Sequence, residues 1–237
     1  MLTIGSLFSG IGGLELGLER AGLGPVVWQV EQSAYCRSVL ARHWPDAERF
    51  DDVRSVGAGN LAPVDLICGG FPCQDLSHAG KRKGLAGERS GLWREFLRIA
   101  SELRPSWVVI ENVHHAWAGW VPFVRRDLHA AGYASVPLRM SAGELGADHR
   151  RTRAFVIANP DGEQLRELSR RWRGARREVS AEPLFASWGT AESRMARVDD
   201  GIPRGVDRRR ALGNAVVPAC AEVVGHVIRG IHERSSS

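Results

Sequence analysis

The sequence predicts an α/β fold: a mostly parallel, twisted sheet with helices on both faces. Three observations predict it. Short apolar runs rich in β-branched residues alternate with segments of helical periodicity. A glycine-rich turn, FSGIGG, separates the first such run from the first helical pattern. Two carboxylates, Glu31 and Asp52, stand at the ends of the next two runs, where such sheets present ligand-binding groups.

The elements run in order along the chain. LTIGSLF is a short buried strand, and LELGLERAG after the glycine turn has helical spacing. PVVWQVE is the second strand. SAYCRSVLARHW is a helix with a serine N-cap. RFDDV is a short third strand ending at Asp52. VDLICGG is the fourth, running into FPCQ, and SGLWREFLRIASEL is the next helix. WVVIENV is the fifth strand, and WVPFVRRDLHAAG is a helix closed by glycine. ASVPLRM and RAFVIAN are the last two strands. Beyond Asn159 the chain becomes arginine-rich and loses strand periodicity, then returns to an apolar helical pattern in ALGNAVVPACAEVVGHVIRGI. The expected organisation is a catalytic frame over 1–158, a reduced recognition region over 159–210, and a returning C-terminal helix over 211–237.

Composition narrows the function. The 237 residues are 43% hydrophobic and 25% charged, as in a globular protein. No apolar run is long enough to span a bilayer, and the start lacks a signal peptide's basic region, so no membrane partner and a cytoplasmic location are expected. The four cysteines, Cys36, Cys68, Cys73 and Cys220, form neither a CxxC pair nor a zinc spacing, so no metal is expected. The net charge of +5 and pI near 9.5 favour an anionic partner. Both lysines, Lys81 and Lys83, lie in the loop after Cys73.

Phe8–Gly13 alone fits a cofactor turn and a plain strand-to-helix turn about equally well. Glu31 and Asp52 tilt the balance. A carboxylate after the second strand suits ribose hydroxyls, and one after the third suits an adenine amino group. The motif is not a full GxGxxG, which argues against a dinucleotide.

Cys73, held between Pro72 and Gln74, has the setting of a nucleophile. A free thiol near pKa ~8.5 is only a few per cent thiolate at neutral pH, and lowering it ~1.5 units requires about 2 kcal/mol of thiolate stabilisation. Cys36, Cys68 and Cys220 read instead as small buried hydrophobes. Glu111 ends the fifth strand, next to the fourth, and so can face Cys73. A cysteine and a carboxylic acid with no paired histidine suit conjugate addition to a pyrimidine better than hydrolysis. Arg151 and Arg153 alternate, placing both side chains on one strand face, where they can hold a phosphate or an active-site anion.

At these residues the chain resembles the DNA (cytosine-5)-methyltransferases, especially compact bacterial and phage-type members. FSGIGGLELGLERAG, GGFPCQDLSHAGKRKGLAGERSGLWREF, ENV, RRTR and GNAVVP occur in the family's order. The resemblance implies a Rossmann-like fold with S-adenosylmethionine as cofactor. Phe8, Gly10, Gly12, Glu31, Asp52, Val53 and Pro72 would bind it, joined by Asn214, Ala215 and Val216. It implies attack of Cys73 on C6 of a flipped cytosine, with Glu111 engaging N3 and the exocyclic amine, and Arg151 and Arg153 supporting the site. It implies a monomer acting on double-stranded DNA in a bacterial or phage-infected cell, in the setting of restriction–modification. Gln74, Ser77, Lys81, Arg82, Lys83 and Arg89 would meet the DNA, on a loop that closes once the base is extruded.

Two departures stand out. His149 occupies a position where the family commonly has glutamine. The recognition region is short, with Arg166, Arg170, Arg171, Arg173, Arg176 and Arg177 either gripping phosphate or forming a solvated helix face. Trp172 and Trp188 read as packing rather than wedges. The alternatives are the family's tRNA-modifying branch and a catalytically inactive DNA-binding module. Cys73, Glu111 and Arg151 together argue against the latter.

Overall fold

The computed structural model describes residues 1–72, 90–179 and 215–235. All seven expected strands form one sheet, in the order β3-β2-β1-β4-β5-β7-β6. They are β1 (Ile4–Leu7), β2 (Val26–Val30), β3 (Glu48–Phe50), β4 (Leu66–Gly69), β5 (Trp107–Val113), β6 (Ala134–Ser141) and β7 (Thr152–Asn159). The first five pair in parallel. β7 runs antiparallel to both β5 and β6. β1 and β4 are buried at every residue, as expected of strands covered on both faces.

The helices are α1 (Gly13–Arg20), α2 (Ala34–His43), α3 (Ser90–Leu103), α4 (Trp117–Ala130), α5 (Gly162–Val179) and α6 (Pro218–Ser235). They divide between two cores. On one face, Leu14 and Leu18 of α1, Leu165 and Leu168 of α5, and Val224 and Ile228 of α6 cover Cys68 and Val109. On the other, Trp93, Phe96 and Ile99 of α3 and Trp120 and Val124 of α4 cover Ile67 and Val108. Ser33 caps α2 by accepting from the Cys36 N–H at 3.3 Å.

β3 ends earlier than expected. The strand stops at Phe50, and Asp52 instead caps a 3-10 turn, Val53–Ser55, by accepting from the Arg54 N–H at 3.0 Å. A short aspartate side chain bonds its own downstream backbone readily, and here that outcompetes the ladder. Trp172 is buried in the first core, as expected. Arg170 and Arg171 of α5 pair with Glu167, and Arg166 lies 3.9 Å from Glu163. These three arginines lie beside acidic neighbours on the same helix. Trp188 and the side chains of Arg173, Arg176 and Arg177 lie outside the described residues. No helix among the described residues is long and apolar enough to cross a membrane.

Candidate active site

The sheet reverses direction at β1: β2 and β3 lie to one side, β4 and β5 to the other. Such a reversal opens a crevice beyond the carboxyl ends of the strands. Four segments meet there: the turn after β1, Glu31 after β2, Gly70–Pro72 after β4, and the end of β5. β7 runs the opposite way, so its first residues reach the same edge. Arg153 is in register with Val113, and Arg151 lies just before the strand. An antiparallel strand is what lets arginines from so late in the chain arrive at this edge.

Glu111 is the centre of the described part. It is 6% exposed. A Cβ placed on Gly70 would lie 3.1 Å from Glu111 Oε2, so the carboxyl rests on the backbone that leads to Cys73. Arg153 Nε lies 2.8 Å from Glu111 Oε1. The two groups form a buried ion pair. Burial pushes the Glu111 carboxyl up to about 7, against the opposing pull of Arg153 and Arg151. Near neutral pH it therefore exists in both protonation states.

Asn112 fastens the two strand ends together. Its Nδ2 donates to Phe71 O at 2.9 Å in a buried contact, and its Oδ1 accepts from the Val113 N–H at 2.8 Å. Phe71 packs on Trp93 and Trp120, with ring centroids 5.4 and 6.0 Å away. Pro72, next in the chain, is exposed. The backbone entering Cys73 is thus clamped on two sides. Cys73, Gln74, Ser77, Lys81, Arg82, Lys83, Arg89 and Asn214 lie outside the described residues.

The other side of the crevice suits a cofactor. Phe8, Gly10 and Gly12 have φ of 57°, 57° and 86°. Two of the three positions are glycines, which adopt this conformation without steric cost, whereas Phe8 carries roughly 1–2 kcal/mol of strain. A Cβ on Gly10 would meet nothing within 4 Å, so the turn borders open space. Glu31 is fixed by the N–H groups of Gly10 and Ser33, at 2.9 and 2.8 Å. Its remaining lone pairs are free to accept from ligand hydroxyls. Asp52 is exposed. The Val53 side chain belongs to the core, so any contact it makes with a ligand falls to its backbone.

Arg151 also reaches the returning C-terminal segment. Its Nη2 donates to Ala215 O at 2.6 Å, tying the returning C-terminal segment to the edge of the sheet. Val216 O lies so close to Gly13 that a Cβ there would clash with it, so the segment closes against the start of α1. Ala215 and Val216 are therefore next to the glycine turn. The Nδ1 of His149 is buried without a hydrogen-bond partner.

Three residues escaped sequence reasoning as parts of this neighbourhood. The Asn112 contact had a signal, its place beside Glu111. Cys220 sits close enough to Glu111 to feel its charge, and burial first and Glu111 second push its thiol up to about 12. Glu15, fully buried on α1, is pushed up to about 7 by burial. Nothing in the local sequence pattern announces these two.

Comparison with known proteins agrees with this geometry. The family described as C-5 cytosine-specific DNA methylase matches residues 2–184. The chain is similar to the Type II methyltransferase M2.BsuMI of Bacillus subtilis (strain 168), 32% identical over 166 residues, covering 67% of this chain and 42% of the relative. It is similar to the Type II methyltransferase M.AquIA of Picosynechococcus sp., 33% identical over 175 residues, 65% of this chain and 70% of that one. Among solved structures it resembles a candidate DNA modification methyltransferase from an E. coli prophage. That match has a TM-score of 0.55 and 31% identity, covering 67% of this chain and 47% of the other. The chain thus spans less than half the length of two of these three proteins. A crevice at the sheet's reversal, a carboxyl seated against Gly70 at the end of β4, and a family match over most of the sequence agree: the chain belongs to the C-5 cytosine-specific DNA methylase family.

Proposed function

We propose that the protein transfers a methyl group to C5 of a cytosine flipped out of double-stranded DNA, acting as a monomer with Cys73 as nucleophile. The observation that carries this reading is the seat of Glu111. It is buried, rests on Gly70 three residues before Cys73, and faces Arg153. S-Adenosylmethionine supplies an electrophilic methyl group when bound; Phe8, Gly10, Gly12, Glu31, Asp52, Val53 and Pro72 would hold it, with Asn214, Ala215 and Val216.

The protein's residues then divide the work. The Cys73 thiolate forms a bond to C6, and the ring's electron pair shifts towards C5. A neutral carboxylic acid offers one O–H donor and one carbonyl acceptor. Glu111 in that form donates to N3, drawing electron density from the ring, while its other oxygen accepts from the exocyclic amine. The resulting Glu111 carboxylate is held by Arg153. C5 takes the methyl group. A base removes the C5 proton, the C5–C6 double bond re-forms, the thiolate leaves, and N3 returns its proton to the Glu111 carboxylate. Gln74, Ser77, Lys81, Arg82, Lys83 and Arg89 hold the DNA around the extruded base.

The test is base-resolved mapping of 5-methylcytosine in a bacterial host lacking cytosine methylation, expressing the wild type, Cys73→Ala or Glu111→Gln. Methylation at a shared short sequence, lost with Cys73→Ala and strongly reduced with Glu111→Gln, is the expected result. A soluble wild type that binds cofactor but leaves DNA unmodified would refute it, and methylation found in tRNA would reassign the substrate.

A further inference from the structure

Arg98 makes an unusual set of contacts for a residue on a helix surface. Its Nε donates to Glu95 Oε2 at 2.8 Å and its Nη1 to Glu102 Oε1 at 2.9 Å. Its Nη2 donates to Val53 O at 3.3 Å and Val56 O at 2.8 Å. These carbonyls lie at the start of the 3-10 turn and just past its end. The same Glu102 accepts from the Ala58 N–H at 3.0 Å. Gly57 permits this closeness, because a Cβ there would lie 2.9 Å from Arg98 Nη1. One guanidinium, braced by two carboxylates of its own helix, thus holds two carbonyls of a single turn.

The turn needs such a hold. β3, which leads into it, has only three residues and lies at the edge of the sheet, paired with β2 alone. So short an edge strand gives the turn beyond it little support. Val53 and Val56 are buried, but a buried valine restrains position more than peptide orientation. A planar fork of donors fixes both. α3, which carries Arg98, is the helix that comes after the Cys73 loop.

We propose that Arg98 is a positioning residue for the cofactor: it sets the orientation of the Asp52–Val53 turn and thereby the affinity for the adenosyl group. This rests on the reading of Asp52 and Val53 as cofactor residues. In this reading Arg98 acts only through the turn it holds. Its removal is expected to act on cofactor binding and to spare DNA binding and the chemical step.

The experiment measures S-adenosylhomocysteine binding by calorimetry on the full chain, with kcat and the two KM values alongside. The variants are Arg98→Ala, Arg98→Lys and, as a stability control on the same helix, Ile99→Val. Arg98→Ala is expected to weaken S-adenosylhomocysteine binding about tenfold and raise the cofactor KM in step, since a misplaced contact loses much of its worth. The DNA KM and the kcat at saturating cofactor stay within about twofold, as befits a lost binding interaction. Arg98→Lys keeps the charge but reaches one carbonyl, and falls between; it carries the comparison if Arg98→Ala does not fold. Unchanged affinity in a folded Arg98 variant overturns the proposal, as does an equal loss in Ile99→Val. A wild type that does not bind S-adenosylhomocysteine refutes the cofactor reading itself, and this inference with it.

Discussion

Replacing Asn112 by alanine separates the two strand ends that the proposed reaction needs together. Asn112 Nδ2 donates to Phe71 O at 2.9 Å, in a buried place that water does not reach. Removing the donor leaves a buried carbonyl unsatisfied, at a cost of about 1–3 kcal/mol. The second contact, from the Val113 N–H, is only partly buried, so water can replace it at little cost. A total near ~2 kcal/mol corresponds to a Tm fall of about 4–8 °C in a protein of this size. The catalytic effect should be larger than this loss suggests. Phe71 is two residues before Cys73, and Asn112 is next to Glu111. Freeing one strand end from the other moves the nucleophile relative to the acid, and a misplacement of about 1 Å can cost ~100-fold in rate. The assay is thermal unfolding together with steady-state methyl transfer and S-adenosylhomocysteine binding, all well below the lowered Tm. Expected are a kcat reduced about 10–100-fold and unchanged affinity for S-adenosylhomocysteine. Asn112→Asp should be worse than alanine, because it turns a lone pair towards the carbonyl. A folded Asn112→Ala with the expected fall in Tm and wild-type kcat would refute the reasoning, leaving Asn112 a stabilising contact only.

Other expectations come from the same structure. Burial raises the Glu15 carboxyl from 4.5 to about 7, so the folded protein holds this proton more tightly than the unfolded chain. Stability contributed by this group is therefore present below about 4.5 and lost as pH rises to about 7. Glu15→Gln, which stays neutral, should match the wild type at pH ~4 and exceed it by about 3 kcal/mol at pH ~8, as read by urea unfolding; a constant difference would count against a buried ionisation. Glu111 has the same shift, and its acid form is the proposed donor to N3. The kcat/KM should therefore decline on the alkaline side above about 7, and Glu111→Gln should lack that limb. Native alkylation with mass-spectrometric readout should modify Cys73 while sparing Cys36, Cys68 and Cys220, which are all buried. Ser33→Ala removes the cap of α2 and should cost about 1 kcal/mol, or ~2–4 °C in Tm, without altering activity.

Much of this was legible in the sequence because it rests on periodicity and residue chemistry. Alternating apolar and amphipathic segments announced the strands and helices, and a carboxylate closing an apolar strand announced Glu111. The end of β3 was not legible at Asp52, because an aspartate serves a strand end and a turn cap equally well until the downstream N–H is placed. Arg151 was read correctly as lying near Arg153, but its donation to Ala215 O joins residues 64 positions apart. No local pattern encodes that contact.

The same limit applies to the contacts that hold the crevice in shape. Asn112 to Phe71, Arg151 to Ala215, and Arg98 to Val53 and Val56 are all side-chain donors on backbone carbonyls. A carbonyl is present at every residue, so the acceptor leaves no mark in the sequence; only the donor does, and it resembles any other polar side chain. Yet these contacts join segments the sheet alone leaves separate: the end of β4 to β5, the C-terminal return to β7, and the turn after β3 to α3. A crevice built from several strand ends needs such fastenings, because the ladder fixes strands but not the loops beyond them. The strand ends beside Glu111, the turn after β3 and the returning segment are therefore each fastened by a polar side chain. Substitution of any one of these three should impair a different measurable step: kcat for Asn112, cofactor affinity for Arg98, and docking of the C-terminal segment for Arg151.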